Sequence, residues 1–347
     1  MKEEKGLRSS LIGSALIEKK GFTLVELLVA MVLSFILVGA VYGTFTSQQK
    51  SYTVQDQVAE AQQNARMAMN ILLRDMRMAG YGMPDDGITI SKGTYSNAIH
   101  ISKNDNQQSF DSITLVGAFG APSGYLSQTL SAGSTEIFLG SGAEAEHFDT
   151  ADNKYIFIGG IDKFQVTGVA GNKITLNGKT SVRFPTAVLK EKVQNGETDL
   201  LVVSASGLAS GDMLNLGKET FTITGIATNT LTVDTDSDAG GNQPISGTYP
   251  AGTIINPIPV FRVTAVEYAI DPYGEFTRED KAKRTVAELA GSIQDIQITP
   301  DDQADQPWYT VTLTARTKNP DPDYIQNEGR RQRVLQSRVA LRNLYNR

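Results

Sequence analysis

The sequence predicts an α+β chain. A long N-terminal helix, half membrane-spanning and half amphipathic, packs on an antiparallel β-sheet head that carries an all-β, internally duplicated insert. Three observations predict this. Residues 27–49 hold no charged side chain, and 27–45 are almost wholly apolar. From 54 to 79, apolar residues recur in steps of three and four. Beyond Pro84, short β-rich runs alternate with clusters of Gly, Asn, Asp and Ser, and two stretches resemble each other.

The apolar run comes first. A helix rises about 1.5 Å per residue, so roughly 20 residues cross a ~30 Å hydrocarbon core. The expected span is 22–45. Lys19 and Lys20 stand just before it, with Lys2, Lys5 and Arg8 further upstream. Basic flanks stay cytoplasmic, so the N-terminus is expected inside and the head outside. A secretory signal would close on small residues, whereas this run ends in Tyr42, Gly43, Thr44 and Phe45. Glu26 is the anomaly, because an acid within a membrane costs about 2.5–3.5 kcal/mol and usually has a partner. A cut between Gly21 and Phe22 would create an α-amino group one helical turn before Glu26. That amine would lie within reach of the carboxylate of its own or a neighbouring subunit. Gly39 and Gly43 form a G-x-x-x-G, a spacing that permits close helix contact but is common in membrane helices.

After the span, Val54, Val58, Ala61, Ala65, Ala68, Leu72, Met76 and Ala79 mark one helical face. Gln55, Asp56, Gln62, Gln63, Asn64, Arg66 and Arg74 take the other. Gly80, Gly82 and Pro84 stop the helix. Residues 22–79 would reach about 87 Å if continuous, far more than an anchor needs. The pattern leaves open a break near Gly39 or Gly43.

In the head, strands are expected at 112–116, 156–158, 164–169 and 173–176. Residues 308–318 alternate cleanly, with Tyr309, Val311, Leu313 and Ala315 on one face, as in a half-buried antiparallel strand. Runs 260–270 and 275–278 flank the turn residues Asp271, Pro272, Tyr273 and Gly274. Residues 334–344 read as a last strand. Within the insert, 156–176 align without gaps on 213–233, pairing Gly160 with Gly217, Phe164 with Phe221 and Gly168 with Gly225. Similar short strands, 135–141 and 198–204, precede the two copies. This gives β-modules at 134–180 and 197–237, within an insert at 134–244.

Catalytic chemistry has little material. With no cysteine there is no disulfide, thiol nucleophile or thiolate metal site. His100 and His147 lie in no triad or metal-pair context. Gly178, Lys179 and Thr180 imitate the end of a phosphate loop, but Lys173 stands where that loop needs Gly, so they read as a turn. Asp234, Asp236 and Asp238 alternate as Ca²⁺ ligands do. Ala239 and Ile245 occupy the EF-hand Gly and Glu places, which favours a solvated hairpin tip. The expectation is no cofactor, with Ca²⁺ as the sole weak candidate. Other acidic stretches are Asp321 with Asp323, and Asp301, Asp302 and Asp305. Arg330, Arg331, Arg333, Arg338, Arg342 and Arg347 make the C-terminus basic. They are read as balancing the acidic loops. The chain's net charge of −6 offers no general field for nucleic acid.

The run Lys19-Lys20-Gly21-Phe22-Thr23-Leu24-Val25-Glu26 resembles the leader junction of type IV pilins and pseudopilins. The helix end at 71–82, the stretches 266–278 and 289–297, and the terminal 339–343 resemble PilW-type minor pilins. The resemblance covers about 15–120 and 258–347. It implies a leader at 1–21, cut by a prepilin peptidase after Gly21, with Phe22 N-methylated and Glu26 pairing with a neighbouring subunit during assembly. It divides the rest into a helix at 22–80 and a pilin head at 81–133 and 245–347. It implies a non-catalytic structural subunit that helps start a pilus and sits near its tip. The implied partners are other major and minor pilins, an inner-membrane assembly platform and, before assembly, the lipid bilayer. The implied location is the bacterial inner membrane as a single-pass protein, then the cell surface. Two other readings stay open: a type II secretion pseudopilin, and a tip adhesin binding through the inserted repeats.

Overall fold

The computed structural model describes residues 22–103, 111–148, 152, 154–236, 240–301, 308–341 and 343. The chain divides into two units, Met1–Asp56 and Gln57–Arg347. Helix α1 runs from Leu24 to Met78, 55 residues, and passes Gly39 and Gly43 without a break.

In the first unit the helix is long and apolar enough to cross a membrane. Its side chains are exposed nearly throughout. The hydroxyls inside it are satisfied locally. Ser34 Oγ donates to the Ala30 carbonyl at 2.7 Å and Thr44 Oγ1 to that of Ala40 at 3.0 Å. Such back-bonding lets polar side chains sit in a lipid-facing helix.

In the second unit the same helix becomes the spine of a core. Ala61, Ala65, Ala68, Leu72 and Met76 are buried at steps of three and four. The alanines let sheet side chains approach closely. Leu72 and Met76, fully buried, each contribute about 2–3 kcal/mol. They share one buried cluster with Ile113, Leu115, Val266, Tyr268 and Phe276 from a five-stranded sheet, and Ile296, Val311 and Leu313 from a three-stranded one. The fold is α+β, with a pilin-like N-terminal helix and antiparallel sheets.

The expected run 260–270 is two strands. Pro259–Arg262 belongs to the insert's sheet, and Thr264–Ile270 pairs with Phe276–Asp280 as the head hairpin. Asp271 Oδ1 closes that hairpin's turn by accepting the amides of Tyr273 and Glu275. The stretch 289–297 is likewise broken, with Thr285–Ala290 and Ile293–Asp301 separated at Ser292, whose φ is 63°. The last strand is Gln332–Ala340, so it ends before Arg342.

The insert leaves and re-enters the head at one point. Strand Ser112–Gly117 pairs with Thr264–Ile270, and Gly117 lies directly opposite Thr264. Residues 118–263 are therefore an excursion between two neighbouring strands. It holds two hydrophobic clusters of matching design.

The two stretches share a pattern of strand pairing. In the first, Leu126 bridges Leu139 and Leu130 bridges Phe184; in the second, Leu189 bridges Val202 and Val193 bridges Tyr249. Ile137 pairs with Ile174 as Leu200 pairs with Leu231. Each copy carries a bulge at the same place, between Val166 and Gly168 and between Ile223 and Gly225. Strands Gly124–Tyr125 and Ala187–Val188 open the two copies. One detail departs from the ungapped alignment. Ile158 pairs with Asp162 across residues 159–161, whereas Leu216 pairs with Glu219 across 217–218. The second turn is one residue shorter, so Gly217 corresponds to Gly159, not Gly160.

These two glycines have φ of 58° and 63°. A Cβ on Gly159 would lie 2.2 Å from the Phe184 ring, and one on Gly217 would lie 2.7 Å from that of Tyr249. Gly159→Ala is expected to cost about 2–4 kcal/mol from strain and overpacking together. Gly171→Ala serves as the control, because its φ is 61° but nothing lies within 4 Å. It should cost about 1 kcal/mol. Urea unfolding of both variants checks the difference, and equal costs would remove the packing argument.

The copies differ in what they dock. Tyr155 and Phe157 face the head core, with Phe157 edge-on to Tyr81 at 4.8 Å between ring centroids. The matching positions of the second copy, Met213 and Asn215, are exposed. Arg183 ties the copies together, bonding the Asp212 carboxylate and the Gly207 carbonyl.

Candidate processing and assembly site

The N-terminal junction begins at Phe22, which is 87% exposed. Lys19, Lys20 and Gly21 lie outside the described residues. Thr23 is the residue before the first helical turn, and Glu26 is the acid within that turn. The two bond reciprocally. The Glu26 amide donates to Thr23 Oγ1 at 3.2 Å. Glu26 Oε2 accepts the Thr23 amide at 2.9 Å and the Thr23 hydroxyl at 3.0 Å. This is a capping box, which satisfies helix-end donors that otherwise have no partner. The carboxylate that looks anomalous in the sequence therefore has a partner within its own chain. The Thr-x-x-Glu spacing is the signal that reveals it.

A second constellation brings together residues far apart in sequence. Asp75, 3% exposed, accepts the Tyr268 hydroxyl at 2.5 Å and Arg278 Nε at 3.2 Å through Oδ2. Its Oδ1 accepts Arg74 Nε at 3.1 Å. Burial, and next the Asp75 carboxylate, push the Tyr268 hydroxyl well above the ordinary tyrosine value. The group therefore stays protonated as a donor, and it fastens the helix to the head hairpin.

The remaining sequence candidates are accounted for locally. Asp234 Oδ1 accepts the amides of Gln243 at 2.8 Å and Asp236 at 3.3 Å, closing a turn. Asp238, Asp302, Asp305, Arg342 and Arg347 lie outside the described residues. Among the described residues no group of three His, Asp or Glu is placed to hold a metal ion. His100 Nε2 accepts the Asn97 amide, and His147 Nδ1 meets the Ser123 carbonyl. Thr180 Oγ1 donates to Ser131 O and accepts the Ser134 amide, and no helix follows Gly178–Thr180. Arg331 pairs with Asp321, while Arg338 pairs with Asp301 and lies over the Trp308 ring.

Residues 18–42 match the family described as the prokaryotic N-terminal methylation motif. No curated protein and no solved structure matches the chain. The motif covers the junction and most of the apolar half of the helix. The chain thus carries the mark of a prepilin-type precursor at the head of a pilin-like helix.

Proposed function

We propose that the chain is a minor pilin of the PilW type, a structural subunit that helps start a type IV pilus and sits near its tip. The observation that carries this reading is the methylation motif at 18–42, joined to a helix whose first turn holds Glu26. A prepilin peptidase cuts after Gly21 and Phe22 is methylated. Before assembly the helix anchors the protein in the inner membrane, N-terminus cytoplasmic and head outside. Assembly then transfers the apolar half from lipid to the helices of other pilins. That exchange needs no catalytic group in this chain and no cofactor. Glu26 gives the transfer its register by pairing with the amine of a neighbouring subunit, and the Thr23 bonds hold the acid until that amine arrives. A pseudopilin of a secretion system would share this mechanism in a shorter filament. Display of a binding module is favoured by one observation of its own, the excursion with two hydrophobic clusters between Gly117 and Thr264.

Mass spectrometry of the protein purified from membranes tests the processing. The expected N-terminal peptide begins with N-methylated Phe22. An intact Met1, or a cut beyond residue 45, would sink the reading.

A further inference from the structure

We propose that the groove between the head and the first repeat is a carbohydrate site that takes a neutral, hydroxyl-rich ring. The cavity is about 620 Å³ and open. The head loop carrying Asp85 and Asp86 forms one wall, and Ile161, Lys163, Phe164, Gln165 and Asn177 of the repeat form the other.

Three features point to a sugar. First, the groove offers polar groups with spare bonding capacity. Among the described residues the Asp86 carboxylate and the Gln165 side-chain amide have no protein partner. Asn177 Oδ1 accepts the Gln165 backbone N–H at 2.8 Å, which leaves the Asn177 NH₂ free. A carboxylate and two planar amides suit paired hydroxyls, which both donate and accept. Second, Ile161 is 54% exposed beside a half-buried Phe164. Together they offer an apolar patch for the C–H face of a ring. Third, the charge disfavours anionic ligands. Lys163 lies 3.4 Å from Asp85, so Asp86 leaves the groove net negative and unfavourable to phosphates and nucleic acid.

The second repeat differs at the matching positions. Thr222 and Asp234 stand where the first has Gln165 and Asn177, and Asp234 is committed to its turn. The site thus arises from docking the first repeat on the head. It does not depend on the filament reading, since a subunit that never assembles would still bind.

Saturation-transfer NMR on the full chain, in a detergent without a sugar head group, tests this with glucose, galactose, mannose and N-acetylglucosamine as probes. At least one sugar should receive saturation. The signal should fall about fivefold or more in D86N/N177D, which exchanges donors and acceptors while keeping side-chain shape. Thr222→Ala on the second repeat should leave it unchanged. An unaltered melting temperature in D86N/N177D shows that the fold is kept. No transfer from any of the four sugars, or an undiminished signal in D86N/N177D, would overturn the proposal.

Discussion

Glu26→Leu is expected to reach the membrane at the wild-type level and to be missing from sheared filaments. Removing an acid from the apolar half of the helix makes insertion easier by about 2.5–3.5 kcal/mol. Loss of the filament would therefore not be a loss of anchoring. In the isolated chain the Glu26 carboxylate is held by the Thr23 amide and hydroxyl. Two roles are thus combined in one side chain, a helix cap and an assembly partner. Thr23→Ala separates them. It removes the hydroxyl bonds, a cost of about 1 kcal/mol to the first turn, and leaves the carboxylate in place. If Glu26 acts by meeting a neighbour's amine, Thr23→Ala assembles and Glu26→Leu does not. If both variants assemble, or both fail equally, the acid is a cap and nothing more. Immunoblots of membrane and sheared fractions read all of these outcomes.

Asp75→Ala is expected to be the most damaging single change in the second unit. It strands the Tyr268 hydroxyl, which is fully buried, and takes a carboxylate from the partly buried Arg278. Breaking a buried pair from one side costs about 3–5 kcal/mol, because the remaining partner is left uncompensated. In a unit of this size that corresponds to a melting shift of roughly 10 °C. Tyr268→Phe removes one donor and should cost about 1–2 kcal/mol. In the double variant the losses should fall short of additive, since the two groups share a bond. Circular dichroism melts of the full chain in detergent measure these shifts. A shift below about 2 °C for Asp75→Ala would show that the network does not hold the helix to the sheet.

The parts legible in the sequence are those written in local pattern. The apolar half of the helix needs only composition. Its amphipathic half needs only the 3.6-residue period, and Ala61, Ala65, Ala68, Leu72 and Met76 are buried as that period requires. The strand at 308–316 follows from alternation, with Val311, Leu313 and Ala315 buried. The capping box is equally local, with Thr23 and Glu26 three residues apart, yet the sequence reading of Glu26 looked only to an amine for its partner. The other features that escaped have partners far along the chain. Asp75 meets Tyr268 and Arg278 only after a sheet has formed between them. Phe184 and Tyr249 close their repeats through single bridges that no periodicity marks.

The sequence by itself determined a prepilin-type motif, a helix with two different halves and a β-rich remainder, because each rests on neighbours within a few helical turns or strand steps. Only the tertiary structure decided where the insert is rooted, how far each repeat extends and which copy docks. Gly117 opposite Thr264, and Phe157 against Tyr81, are pairings across long loops. Their free energy comes from burial and strand pairing at a distance, which leaves no periodic trace in either segment alone.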